Sequence, residues 1–189
     1  MSYTREAHGV ARFNDDVKFG DLAELEFLKN HPTLIHRPRG RELEDFSMGA
    51  GGDRVELKAD RYLMDTFANR SKLNSGIIGK SKTCTGSITN NLSIEVGKRV
   101  KPSMRQVRSG VWQAIGYGCK YFVYWMFNDN VEFWFDPKLL LWTAAKYRGK
   151  YPDRCRWKCN EGLGPDAFNI LIPYDELRAI AIPSPLEEP

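Results

Sequence analysis

Asp45, Glu56 and Lys58 lie on either side of a glycine-rich turn in RELEDFSMGAGGDRVELKADRY, residues 41–62. If the turn Gly49-Ala50-Gly51-Gly52 closes symmetrically, Asp45 opposes Glu56, Phe46 opposes Val55 and Ser47 opposes Arg54. Directly opposed side chains have Cβ atoms roughly 4.5–5.5 Å apart. Side chains alternate faces along a strand. Asp45, Glu56, Lys58 and Asp60 therefore share one face, while Phe46, Val55, Leu57 and Ala59 share the other, apolar one. Two carboxylates held this close repel unless a cation lies between them. A hard cation such as Mg²⁺ takes oxygens from one or two carboxylates plus waters or phosphates. With a lysine two residues along the strand, this is a site for attacking a phosphodiester. The competing reading is a surface hairpin with a charged solvent face.

The arrangement resembles the PD-(D/E)XK nuclease superfamily, in which an acid on one strand and Glu-x-Lys on the next build a metal site. Glu56-Leu57-Lys58 stands as the Glu-x-Lys element, and Asp45 as the preceding acid, written Glu44-Asp45 rather than Pro-Asp. Asp53 is a rival first acid. Its odd spacing from Glu56 points it to the opposite face of a regular strand, unless a bulge in the turn re-aims it. The resemblance implies a restriction-endonuclease-like core and Mg²⁺ or Mn²⁺ held by Asp45, Glu56 and the Leu57 carbonyl. It also implies DNA as the substrate.

Further stretches are similar to parts of that family. Gly20-Asp21-Leu22-Ala23-Glu24 looks like the Gly-x-x-x-Glu-type element of an opening helix, which would add Glu24 to a second metal site. The alternative is a solvated glutamate beside Glu26. Thr85-Gly86 and Ile94-Glu95 look like the loop and strand of phage-type members, making Glu95 a second-tier candidate beside Asp53 and Asp60. A solvent-facing strand glutamate is the other reading of Glu95. Asp60 lies roughly 13 Å beyond Glu56 along the strand, where a salt bridge to a basic loop residue is expected. Gln113 and Tyr117, at i and i+4 on a helix, resemble the accessory motif of RecB-type nucleases that contacts DNA. Ser109-Gly110-Val111-Trp112 also resembles phage-type members.

These residues need elements to hold them. GDLAELEFLKNHP, 20–32, reads as a helix with a stripe of Leu22, Leu25, Phe27 and Leu28, ended by Pro32. Residues 33–40 read as a short strand or extended link into the hairpin, and Arg37, Arg39 and the following Arg41 alternate with other residues; they either line a backbone-binding surface or protect an edge. Residues 63–90 read as a loop with at most one short strand, and Lys72, Lys80 and Lys82 suit a phosphate-contacting flap. NLSIEV, 91–96, alternates as a strand. GKRVKPSMRQVRSGVWQ carries Lys98, Arg99, Lys101, Arg105 and Arg108 without one acid, a footprint for phosphates lying before and along a helix at roughly 103–118. KYFVYWMFND reads as a strand buried on both faces, and VEFWFD as its return. Pro137 opens a helix. Residues 148–165 read as a basic loop, AFNILIP as a last strand and YDELRAIAI as a short helix. The sum is an α/β (α+β) chain with a central mixed sheet flanked by helices. The expected organisation is an N-terminal arm at 1–18, one nuclease domain at 19–182 and a flexible tail at 183–189.

Composition narrows the classes further. The 189 residues are 42% hydrophobic and carry a net charge of +4, which fits one domain with a real core and a mildly basic surface. No apolar run spans a bilayer and MSYTREAHGV lacks a signal-peptide core, so a cytoplasmic protein of bacterial or viral type with no membrane partner is expected. Free thiols are expected of Cys84, Cys119, Cys155 and Cys159 in that compartment. Cys155 and Cys159 have a spacing that suits zinc, but the site needs two more ligands. The function expected is metal-dependent hydrolysis of DNA, with RNA cleavage and non-catalytic DNA binding on the same fold as alternatives. A homodimer is required only if the substrate is a junction.

Overall fold

The hairpin around the glycine turn fixes the architecture. In the computed structural model, which describes residues 5–37, 45–49, 52–78, 84, 86–100, 102–158 and 166–186 (side chains only from Lys18, and not 156–158), strand β2 (Phe46–Met48) pairs antiparallel with β3 (Arg54–Asp60). The pairs are Phe46 with Val55 and Ser47 with Arg54, the symmetric register. A Cβ on Gly52 would collide with the Met48 carbonyl, so the tight return needs glycine there.

β1 (Leu34–His36) adds antiparallel to the free edge of β2. On the other side of β3 lie β8 (Tyr121–Met126), parallel to it, and β9 (Val131–Phe135), antiparallel to β8. The result is a five-stranded mixed sheet in the order β1-β2-β3-β8-β9. β8 is buried from Phe122 to Met126, as a central strand covered on both faces must be.

The two faces of this sheet carry separate cores. Phe46, Val55, Val123, Trp125 and Trp134 pack with Ala23 and Phe27 of helix α1 (Arg5–Asn30). Phe122, Tyr124, Met126, Phe133 and Phe135 face the opposite way. They meet Leu92 and Ile94 of β6 (Asn91–Val100) and Ile170 and Ile172 of β11 (Asp166–Pro173), with helices α3 (Val111–Gly116) and α4 (Pro137–Lys150). Each such fully buried side chain contributes about 1.5–3 kcal/mol.

Several elements differ from the sequence reading. Helix α1 begins at Arg5, inside the expected arm. Its core-facing stripe is half-buried Phe19 with buried Ala23 and Phe27, while Leu22 and Leu25 are exposed; the aromatic ring, not the number of leucines, sets the phase. The expected loop at 63–90 contains β4 (Leu63–Met64), α2 (Phe67–Asn74) and β5 (Ile88–Thr89). Thr66 caps α2 by accepting the Asn69 N–H.

The expected helix at 103–118 is two elements: β7 (Arg105–Val107) and the short α3. Gly110 allows the switch, because it adopts φ +56° and a Cβ there would strike the Glu95 carbonyl. The segment read as a loop at 148–165 contains β10 (Cys155–Lys158). β10, β11, β6 and β7 form a second, antiparallel sheet instead of joining the central one. The final helix is α5 (Tyr174–Arg178). Among the described residues no helix is long and apolar enough to cross a membrane.

Candidate active site

Asp45 stands one residue before β2, beside the point where β3 continues without it. Its Oδ2 accepts the Leu57 N–H at 2.8 Å, and its own carbonyl accepts the Arg37 N–H at 2.8 Å. The side chain thus completes the ladder that β2 leaves unfinished. Extending the observed register by one step puts Arg37, Asp45 and Glu56 in a row across three strands. In the row beside it the Arg37 Nε donates to Ser47 Oγ at 3.1 Å, so its guanidinium lies on the face of the two carboxylates. Arginine 37 was legible only as one of three alternating arginines; Arg39 and Arg41 fall outside the described residues.

Glu56 is half-buried, and its Oε2 is shut off from solvent. It pairs across β8 with Phe122, and Lys58 with Tyr124. Both therefore lie on the face of the second sheet, α3 and α4. Lys58 is exposed. Leu57 and Ala59 pack into the opposite core, so the division of β3 into a charged and an apolar face is present. A residue's N–H and C=O leave a strand on one side, which sets the Leu57 carbonyl toward Asp45. The Asp45 and Glu56 carboxylates and the Leu57 carbonyl are oxygen donors of the kind a hard divalent cation takes, with its remaining oxygens from water or phosphate. Among the described residues no three His, Cys, Asp or Glu side chains converge as a metal-holding group.

Glu24 is placed differently from either expectation. It is 8% exposed, and its Oε2 lies 3.1 Å from His36 Nε2. His36 pairs with Phe46, so this contact belongs to the α1 side of the sheet, opposite Glu56. Asp53 sits at the turn and its Oδ2 accepts from Lys120 Nζ at 2.6 Å; that hydrogen bond raises the lysine's pKa. Asp60 accepts from the Tyr124 hydroxyl at 2.6 Å and from the Tyr62 N–H at 2.9 Å, in place of the expected basic partner. Burial first, then the Asp60 charge, hold the Tyr124 pKa well above 10.

Gln113 and Tyr117 do share a face of α3: the Gln113 amide donates to the Tyr117 hydroxyl at 2.7 Å. The Tyr117 carbonyl accepts from Arg54 at 2.8 Å, which ties the end of α3 to the start of β3. The basic run lies on a strand hairpin, not along a helix. Lys98 pairs with Val107 and Arg99 with Gln106 in β7, while Arg105 opposes Val100. Across the other edge Arg99 is the strand partner of the buried Asp166, an acid distant in sequence. Arg108 lies over the Trp112 ring at 4.2 Å. Lys101 is outside the described residues, as are Lys80, Lys82, Thr85 and Cys159. Glu95 pairs with Asn169 in the second sheet. Cys119 is buried in the core and Cys155 packs against it.

Compared with protein-family models, curated proteins and solved structures, the chain matches none.

Proposed function

We propose that the protein is a metal-dependent nuclease that hydrolyses DNA phosphodiester bonds on a restriction-endonuclease-like core. The observation that carries this reading is the hairpin geometry: Asp45 is fastened to β3 at Leu57 beside Glu56, with exposed Lys58 two residues on along the same face. Asp45, Glu56 and the Leu57 carbonyl would hold Mg²⁺ or Mn²⁺. Such an ion, when bound, polarises a phosphate and makes a neighbouring water easier to deprotonate. Lys58 positions the attacking water or offsets charge gathering on the phosphorane. Gln113, Tyr117, Lys98, Arg105 and Arg108 hold the phosphodiester backbone, which positions substrate without reading sequence.

Arg37 favours a second reading. It supplies a resident cation on the carboxylate face, and if the guanidinium takes the metal's place, the chain binds nucleic acid without cutting it. A cleavage assay on circular and linear DNA and on RNA, with Mg²⁺ or Mn²⁺ and with chelator, separates the two. Metal-dependent cutting that disappears in Glu56→Ala supports the nuclease. Binding without cleavage on every substrate supports the scaffold.

A further inference from the structure

Helix α4 carries cations and no acid after its cap: Lys138, Lys146, Arg148 and Lys150 in PKLLLWTAAKYRGK. Its apolar side, Leu140 and Ala144, is buried in the core on the Glu56 face of the central sheet. On the outer side Lys138, Trp142 and Lys146 follow at i, i+4 and i+8, the spacing of one face. All three are exposed, and Trp142 keeps 55% of its surface in solvent. The Lys146 ammonium lies 3.6 Å from the centre of the Trp142 ring, a cation–π contact that holds the indole in place. Asp153 and Glu176 act on the far end of the helix, at Tyr147 and Lys150, and Asp136 caps its start, so among the described residues the turn around Trp142 lies between these acids.

We infer that this face of α4 is a stacking platform for single-stranded nucleic acid, with a base on Trp142 and phosphates on Lys138 and Lys146. Single strands are held by a cationic track interleaved with aromatic rings, because every base has a π-face and every link a charge. A duplex keeps its bases stacked inside, where an indole on a helix surface does not reach them. The platform also lies near the proposed site. Phe135 closes the row Glu56, Phe122, Phe135 across three strands, and α4 starts at Pro137. Trp142 is thus within about 25 Å of Glu56, measured along sheet and helix. This rests on the nuclease reading for its substrate class, which becomes DNA with unpaired bases, but not for the binding itself.

The test is fluorescence anisotropy in EDTA with a labelled oligothymidylate and a labelled blunt duplex of the same length. Trp142→Ala is expected to weaken oligothymidylate binding about 10-fold, the range for one lost base–aromatic stack, and to leave duplex binding within about twofold. Trp142→Phe, which keeps a ring, should recover most of the loss. Lys29→Gln, a lysine removed from α1, should change neither. Unchanged oligothymidylate binding in Trp142→Ala overturns the proposal, as does equal loss on the duplex. A drop in solution mass on the same substitution also overturns it, because the face is then a contact between two copies. Cleavage assays keep the two readings apart. Weakened binding in a protein inert with every metal retains the platform and rejects the nuclease. Unchanged binding in a protein that cuts does the reverse.

Discussion

The Asp45 carboxylate accepts the backbone N–H of Leu57 at 2.8 Å, one residue beyond Glu56 on β3. This bond gives Asp45 a structural task beside the proposed chemical one, and two substitutions separate them. Asparagine keeps an oxygen acceptor for Leu57 but removes the charge. Asp45→Asn is therefore expected to keep its thermal midpoint within a few degrees while cleavage falls at least about 100-fold, since a neutral amide is a poor ligand for a hard cation. Asp45→Ala should lose cleavage and also about 1 kcal/mol of stability, the net worth of one such hydrogen bond. Asp53→Asn should cleave normally. If Asp53→Asn is dead and Asp45→Asn active, the acid has been assigned to the wrong side of the turn.

Lys58 projects from the Glu56 face into solvent and makes no contribution to either core. Lys58→Ala is expected to fold normally, to bind DNA within about threefold of the parent and to cut at least about 100-fold more slowly, the scale of a lost acid–base or charge-stabilising group. Parallel loss of binding and cleavage would mean that the ammonium only attracts phosphate.

Tyr124 joins the two sheets. Its hydroxyl donates to Asp60 on β3 at 2.6 Å and accepts the Ser93 N–H of β6 at 3.2 Å. Phenylalanine keeps the ring but leaves the Ser93 N–H and Asp60 without that partner, so Tyr124→Phe should cost about 1–3 kcal/mol in denaturant unfolding. The pH dependence has a definite sign. The folded-state pKa is raised well above 10, so the unfolded chain loses this proton first. The stabilisation is complete below about pH 10 and is lost as pH rises from there toward the folded value. Over that window the phenol contributes a fall of about 1.4 kcal/mol per pH unit. Alkaline unfolding of Tyr124→Phe should lack that contribution.

How far these relations were legible follows from their range in sequence. The β2–β3 register was readable because a short glycine turn and strict alternation leave one pairing that buries Phe46 against Val55. β8 was readable because a strand covered on both faces is apolar throughout. The burial of Glu24 was not legible because it depends on the phase of α1, set by Phe27 packing among aromatic rings from β2, β8 and β9. The second sheet was missed because its pairs, such as Arg99 with Asp166, join residues far apart. Helix α2 was hidden by composition: it is polar, and its first residue, Phe67, is 89% exposed, so no apolar stripe marks it.

A turn that reads as a simple reversal also holds an earlier segment, residues 64–69. Asp129, between β8 and β9, accepts the Met64 N–H at 2.6 Å and the Asn69 side-chain amide at 2.8 Å. Met64 and Asn69 are both buried. Asp129→Ala should leave the Met64 N–H and one hydrogen of the Asn69 amide, whose other donates to the Met64 carbonyl, without an acceptor and cost about 2–4 kcal/mol, while Asp129→Asn, which keeps one acceptor, should cost about half as much. Hydrogen exchange at Met64 is the local readout, and an unchanged rate in the alanine variant would show that the bond does not hold this segment.

Lys98 and Arg99 are neighbours in the basic run but have different surroundings, so their loss should read out differently. Arg99 faces Asp166, which is 4% exposed. Arg99→Ala leaves a buried carboxylate opposite a methyl group, and its main effect should be a loss of stability of about 3 kcal/mol, the scale for uncovering a buried charge. Lys98 faces Ala167 on one side and Val107 on the other, with no acid opposite it. Lys98→Ala should leave the thermal midpoint near that of the parent and lower the slope of log K against log salt by about one, one phosphate contact removed. If Arg99→Ala flattens the salt slope while keeping its stability, Asp166 does not occupy the arginine and the whole run meets phosphate.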